Sequence, residues 1–251
     1  MAHSAISIDR IISKLDEYLG KNDMDGARRH LLYWLDEAIS EQNARAELLL
    51  RNELMGLYRK GGQRELAIEN AECAMNKIKE MGVEEQVGSA TTYLNCATVY
   101  KAFGMADKAM PIFEKAKGIY EQNLAGDDPR LAGLYNNMAL ALVDLSRFSE
   151  AYELYERAIS LSGKSGKGAL EAAITHLNIA TALEGELGLE AADGKIQERL
   201  ETARTLLENY TQRDGYYAFV IEKCASVFGY YGHFLYEEEL KERARRIYEG
   251  N

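Results

Sequence analysis

A helical-hairpin pattern returns along this chain about every forty-two residues, and that periodicity restricts the fold more than any other feature. Three consecutive copies read Tyr93-x2-Cys96-Ala97-x2-Tyr100, Tyr135-x2-Met138-Ala139-x2-Leu142 and His176-x2-Ile179-Ala180-x2-Leu183. Each carries one asparagine at a matching place: Asn95, Asn137 and Asn178. The residue closing each first helix steps by 42 from Tyr58 to Tyr100 and by 42 to Leu142. The next steps are 41 to Leu183 and 45 to Phe228, the longer one reflecting extra residues around Glu190 to Lys195. A weaker first copy places Tyr18 forty residues before Tyr58.

A second helix follows each first one, marked by a small residue, a large one four later and a small one three later. Ala67, Ala71, Ala74 begin the series, followed by Ala109, Phe113, Ala116, by Ala151, Tyr155, Ala158, and more loosely by Ile196, Leu200, Ala203. At helical spacing these fall on one face, where alanine lets backbones approach and the large residue fills the gap. Turn signals lie between the helices at Asp23, Gly61-Gly62, Gly104 and Ser146. With only 2 prolines in 251 residues, the expected fold is all-α. It is a right-handed superhelical solenoid of about six antiparallel hairpins, roughly 7–40, 44–82, 86–124, 129–163, 168–209 and 215–249, forming a single domain over 1–251.

The copies resemble the tetratricopeptide repeat, whose large-x2-Leu-small-x2-Tyr and Ala-x3-Phe-x2-Ala signature they follow from residue 48 to 208. The unit is longer than that family's usual 34. With the junction Gly126-Asp127-Asp128-Pro129-Arg130-Leu131-Ala132 it resembles the repeats of kinesin light chains and their bacterial relatives. Asp128 is placed to cap the following helix and Pro129 to open it. No sustained heptad segment of the kind that joins kinesin light chains to their motor is present, so a motor-linked role is not implied.

Opposite the packing face, Asn95, Asn137 and Asn178 are expected to line the concave side of the solenoid, with Thr98 and Thr181 among their small neighbours. An asparagine amide offers the donor and acceptor that an extended peptide backbone requires. The tetratricopeptide resemblance implies that role for these three residues and not for Glu53 or Lys223, where the pattern breaks. The competing reading is that the amides bridge adjacent helices. Lys101, Arg59 and Lys60 lie near or on this face and suit acidic side chains or a terminal carboxylate, although a solvated face accounts for them equally.

A net charge of -10 disfavours nucleic acid and anionic membrane surfaces as partners. Cys73, Cys96 and Cys224 are spaced like reduced core thiols, and with no apolar signal core from Met1 to Arg10 the expected location is cytoplasmic. His3, His30, His176 and His233 show no ligand spacing, so no metal is expected. Gly163-Lys164-Ser165-Gly166-Lys167-Gly168 has no glycine at the distance a phosphate loop demands and is expected to be a basic linker.

No catalytic motif or cofactor site emerges. The expected function is a non-catalytic interaction module, or scaffold, binding an extended peptide or protein segment in its concave groove. A bacterial peptide-sensing regulator acting on a separate effector chain is the alternative. Tyr216, Tyr217, Phe219, Phe228, Tyr230, Tyr231, Phe234 and Tyr236 concentrate aromatics near the end of the sequence. Closure of the core is the favoured reading for them, with a homodimer or partner surface as the other.

Overall fold

The computed structural model describes residues 7–21, 23–163 and 166–250; His3, Lys164 and Ser165 lie outside them. The described residues hold twelve α-helices and no strand. They are α1 (Ile8–Gly20), α2 (Met24–Ser40), α3 (Ala44–Lys60), α4 (Arg64–Met81), α5 (Val87–Ala102), α6 (Ala106–Asn123), α7 (Pro129–Asp144), α8 (Phe148–Ser162), α9 (Gly168–Leu187), α10 (Leu189–Asn209), α11 (Gly215–Tyr230) and α12 (Phe234–Glu249). The chain falls into two compact units, Met1–Asn123 with α1 to α6 and Leu124–Asn251 with α7 to α12.

The turns follow backbone chemistry. Gly62 and Gly104 adopt φ of 68° and 73°, where a side chain is strained, and Ser146 occupies the same region at 58°. Asp23 accepts from Gly26 N at 2.8 Å and Asn43 from Ala46 N at 3.1 Å, satisfying orphan donors at the starts of α2 and α3. Asp128 caps α7 by accepting from Arg130 N at 3.0 Å, and Pro129 is the first residue of that helix. The Arg130 guanidinium closes on the same carboxylate at 2.9 and 2.6 Å and holds its pKa down to about 2. The extra residues of the fifth repeat lengthen its helices to 20 and 21 residues rather than its turn.

In the first unit α1 to α6 pack in sequence, and α3 also touches α5 directly. Ala67, Ala71 and Ala74 of α4 and Ala109, Phe113 and Ala116 of α6 are wholly buried. Glu47 pins α3 to α4: it is 8% exposed, and its two oxygens hold Arg51 Nε at 2.9 Å and Lys77 Nζ at 3.0 Å. In the second unit the first helices α7, α9 and α11 form one layer, α9 touching both of the others. Behind them α8 buries Ala151, Tyr155 and Ala158, and α10 buries Ile196, Leu200 and Ala203. Tyr217, Phe228 and Tyr236 close the end of this core, whereas Tyr230 and Phe234 remain 68% and 66% exposed. The terminal aromatics therefore divide between packing and surface.

Candidate functional site

In the first unit the polar row on the first helices is built around a side-chain clamp. Asn52 of α3 donates to the Leu48 carbonyl at 2.9 Å and to Thr92 Oγ1 of α5 at 3.0 Å. Its Oδ1 accepts from Asn95 Nδ2 at 2.9 Å, so α3 and α5 are joined by two side-chain hydrogen bonds through one amide. The second unit repeats the device between α7 and α9. Asn136 Oδ1 accepts from Asn178 Nδ2 at 2.9 Å and lies 3.2 Å from Thr175 Oγ1. Asn137 behaves differently, donating only to the Gly133 carbonyl of its own helix at 2.8 Å.

Asn95, Asn137 and Asn178 are all half-buried. Each keeps one amide hydrogen and an Oδ1 with no hydrogen bond among the described residues. Half of each amide is therefore spent on the protein itself, and the other half has no hydrogen-bond partner among the described residues. Asn52 and Asn136 stand one place before the aligned asparagine position of their repeats, so the asparagine periodicity does not mark them. The detectable trace is that Asn52 and Asn136 occur at the same repeat position, with Leu94 between them in the series.

The neighbouring residues modify the expected groove. Thr98 Oγ1 donates to its own helix at Leu94 O, 2.8 Å away, and Thr181 Oγ1 to Leu177 O at 3.3 Å. Gly185 is not surrounded by open space: a side chain there would meet the Phe148 ring at 3.6 Å. Arg59 and Lys60 occupy the last turn of α3, and Lys101 that of α5, positions where cations complement the helix dipole. Lys60 and Lys101 are engaged within the protein. Arg59 is half-buried, and desolvation lowers its pKa. Burial likewise raises the pKa of Glu53, with Asp16 adding to the shift and Lys60 opposing it.

Behind this face runs a second periodic feature, which the repeat signature does not include. Arg157 of α8 lies 4.1 Å over the Tyr135 ring and donates to its hydroxyl at 2.6 Å. Arg199 of α10 reaches His176 Nδ1 at 3.3 Å, and Arg243 of α12 donates to the Tyr217 hydroxyl at 2.7 Å. A guanidinium from the second helix thus satisfies the polar tip of a core-facing ring on the first helix. The sequence trace is a cation immediately before the second small residue of the second helix, as in Arg157-Ala158 and Arg243-Ala244.

Burial, with Arg199 adding to it, lowers the His176 pKa and keeps the ring neutral as an acceptor at pH 7. Because its folded-state pKa is depressed, the stability tied to the neutral ring is present above the unfolded value of about 6.5 and is lost as pH falls through the folded-state value. Between pH 7.5 and 5 the wild type should therefore lose more thermal stability than His176→Gln, as read by circular dichroism melts. Parallel loss in both proteins would contradict this assignment.

Burial pushes the Cys96 and Cys224 thiols up to about 12, far from a reactive thiolate. No group of three metal-ligating side chains occurs among the described residues. No helix among them is long and apolar enough to cross a membrane.

No family model matches the chain and no curated protein matches its sequence. Solved structures do. BtubC (BKLC) from P. vanneervenii is 20% identical, with 92% of this chain and 91% of that chain covered and a TM-score of 0.57. Kinesin light chain TPR-like repeats from Podosopora anserina are 20% identical, covering 81% of this chain and 95% of that chain at a TM-score of 0.54. A Rap protein complexed with Competence and Sporulation Factor is 17% identical at a TM-score of 0.57; 96% of this chain is covered, but only 63% of that one. The chain therefore has the helical-repeat fold of tetratricopeptide proteins.

Proposed function

We propose that the chain is a non-catalytic interaction module that holds an extended peptide or protein segment on its first-helix faces. The observation that carries this reading is the half-used amide. Asn95 in one unit and Asn137 and Asn178 in the other each retain a donor and an acceptor beside one another, the pair an extended backbone presents. The clamps to Asn52 and Asn136 fix the amide planes before binding, which lowers the ordering cost on association. Half-buried Arg59 supplies a cation for an acidic residue of the bound segment.

A second reading rests on the fold likeness to the Rap protein in complex with its factor. Under it the bound peptide is a signal, and its binding alters the chain's hold on a separate effector protein. Both readings place the peptide on the same residues. Panning a phage library of random twelve-residue peptides against the immobilised chain tests that shared element. The wild type should enrich a sequence family that the folded triple variant Asn95→Ala, Asn137→Ala, Asn178→Ala does not retain. Equal enrichment by the two proteins would exclude the first-helix face.

A further inference from the structure

Tyr93 of α5 breaks the ring-to-cation series. It occupies the place that Tyr135 holds one repeat later, and Lys115 of α6 occupies the place of Arg157. Tyr93 is only 3% exposed, yet its hydroxyl has no hydrogen-bond partner. Lys115 Nζ stands over the ring, 4.7 Å from its centre, instead of reaching the hydroxyl as the longer Arg157 side chain does. Beside Tyr93 opens a hollow of about 390 Å³ between α4 and α6, with Met75, Pro111 and Ile112 as its apolar wall. Lys79 and Lys115 stand at its rim and form no ion pair among the described residues. Glu72, the acid in the lining, already accepts from the Tyr100 hydroxyl at 3.3 Å.

An orphaned buried hydroxyl is costly and native proteins rarely tolerate one, so a missing partner is a reason to look for a ligand group. The rim charge selects it: two lysines repel a cation, and in a chain of net charge -10 they are a local exception. We infer that this α4–α6 hollow receives the carboxylate of an acidic side chain from a partner segment, paired with Lys79 and Lys115 and accepting a hydrogen bond from Tyr93. Apolar residues flanking that acid lie against Met75 and Ile112. The site lies between the second helices α4 and α6, with Tyr93 reaching it from the packing face of α5 rather than from the asparagine face, and it stands or falls independently of the function proposed above.

The test uses the full chain with 13C-labelled tyrosine, the Tyr93 signal being assigned by its absence in Tyr93→Phe. Acetyl-Leu-Glu-Leu-amide should shift that signal saturably, at least tenfold more tightly than either acetyl-Leu-Gln-Leu-amide or isohexanoate. Lys115→Arg should weaken the peptide at least tenfold and raise the melting temperature by about 2 °C, because the guanidinium fills the hollow and satisfies Tyr93 as Arg157 satisfies Tyr135. Lys79→Ala should weaken the peptide without stabilising the fold. Equal affinity for the Glu and Gln peptides, isohexanoate binding as tightly as the Glu peptide, undiminished binding by Lys115→Arg, or no saturation by about 10 mM would each overturn the inference.

Discussion

Glu47→Ala should destabilise the first unit by about 3 kcal/mol, the largest loss expected from any single charged residue described above. Its two oxygens hold cations from two helices, and the carboxylate side chain is only 11% exposed. Removing it leaves Arg51 and Lys77, 14% and 22% exposed, facing a void in place of a counterion. Lys77 retains Glu80 at 2.7 Å, which keeps the loss at the lower end for a buried pair. Glu47→Gln keeps the shape and an acceptor and should lose about half as much. Repeat arrays need not unfold as one step, so a local probe is required. Trp34, the single tryptophan, packs against the core of this unit and serves as that probe. A urea midpoint by tryptophan fluorescence unchanged in Glu47→Ala would show that Glu47 does not hold α3 to α4.

The second large effect lies in the clamp. Asn52→Leu should cost about 2 kcal/mol, because it removes the acceptor of Asn95 and the donor to Thr92 while both remain at least half-buried. Asn136→Leu should cost less, about 1 kcal/mol, in the second unit: it removes the acceptor of Asn178, while Thr175 keeps its bond to the Glu171 carbonyl at 2.9 Å. Asn52 and Asn95 should couple by about 1 kcal/mol in a double-mutant cycle, and Asn52 with Asn137 not at all. Strict additivity of Asn52→Leu and Asn95→Ala would show that the pair is an accident of proximity.

The hairpins and their turns are legible because they rest on local rules. Alanine spacing marks the close helix approaches, Asp128 and Pro129 mark a helix start, and glycine marks a left-handed turn. The polar row is legible only in part. Helical geometry places Asn95, Asn137 and Asn178 on the face opposite the packing residues, but their partners come from another repeat at a register one residue off. Nothing in a single copy reveals that Asn95 meets Asn52 rather than Glu53. Thr98 and Thr181 show the same limit, since a threonine hydroxyl can turn back to its own helix and withdraw from the face the periodicity assigns it. The ring-to-cation series escaped for a different reason. Arg199 reaches His176 from one turn before the position used by Arg157, so the pairing recurs in space without recurring strictly in sequence.

Asn137 separates stacking from binding most cleanly, because its one hydrogen bond returns to its own helix while Asn95 and Asn178 brace neighbours. The deciding measurement is calorimetric titration of a phage-selected peptide into wild type and Asn137→Ala, paired with the melting temperature of each. Loss of two backbone hydrogen bonds predicts roughly tenfold weaker binding with the melting temperature unchanged to within about 1 °C. Wild-type affinity in a fully folded Asn137→Ala would contradict the account and leave the asparagine row with a purely structural role.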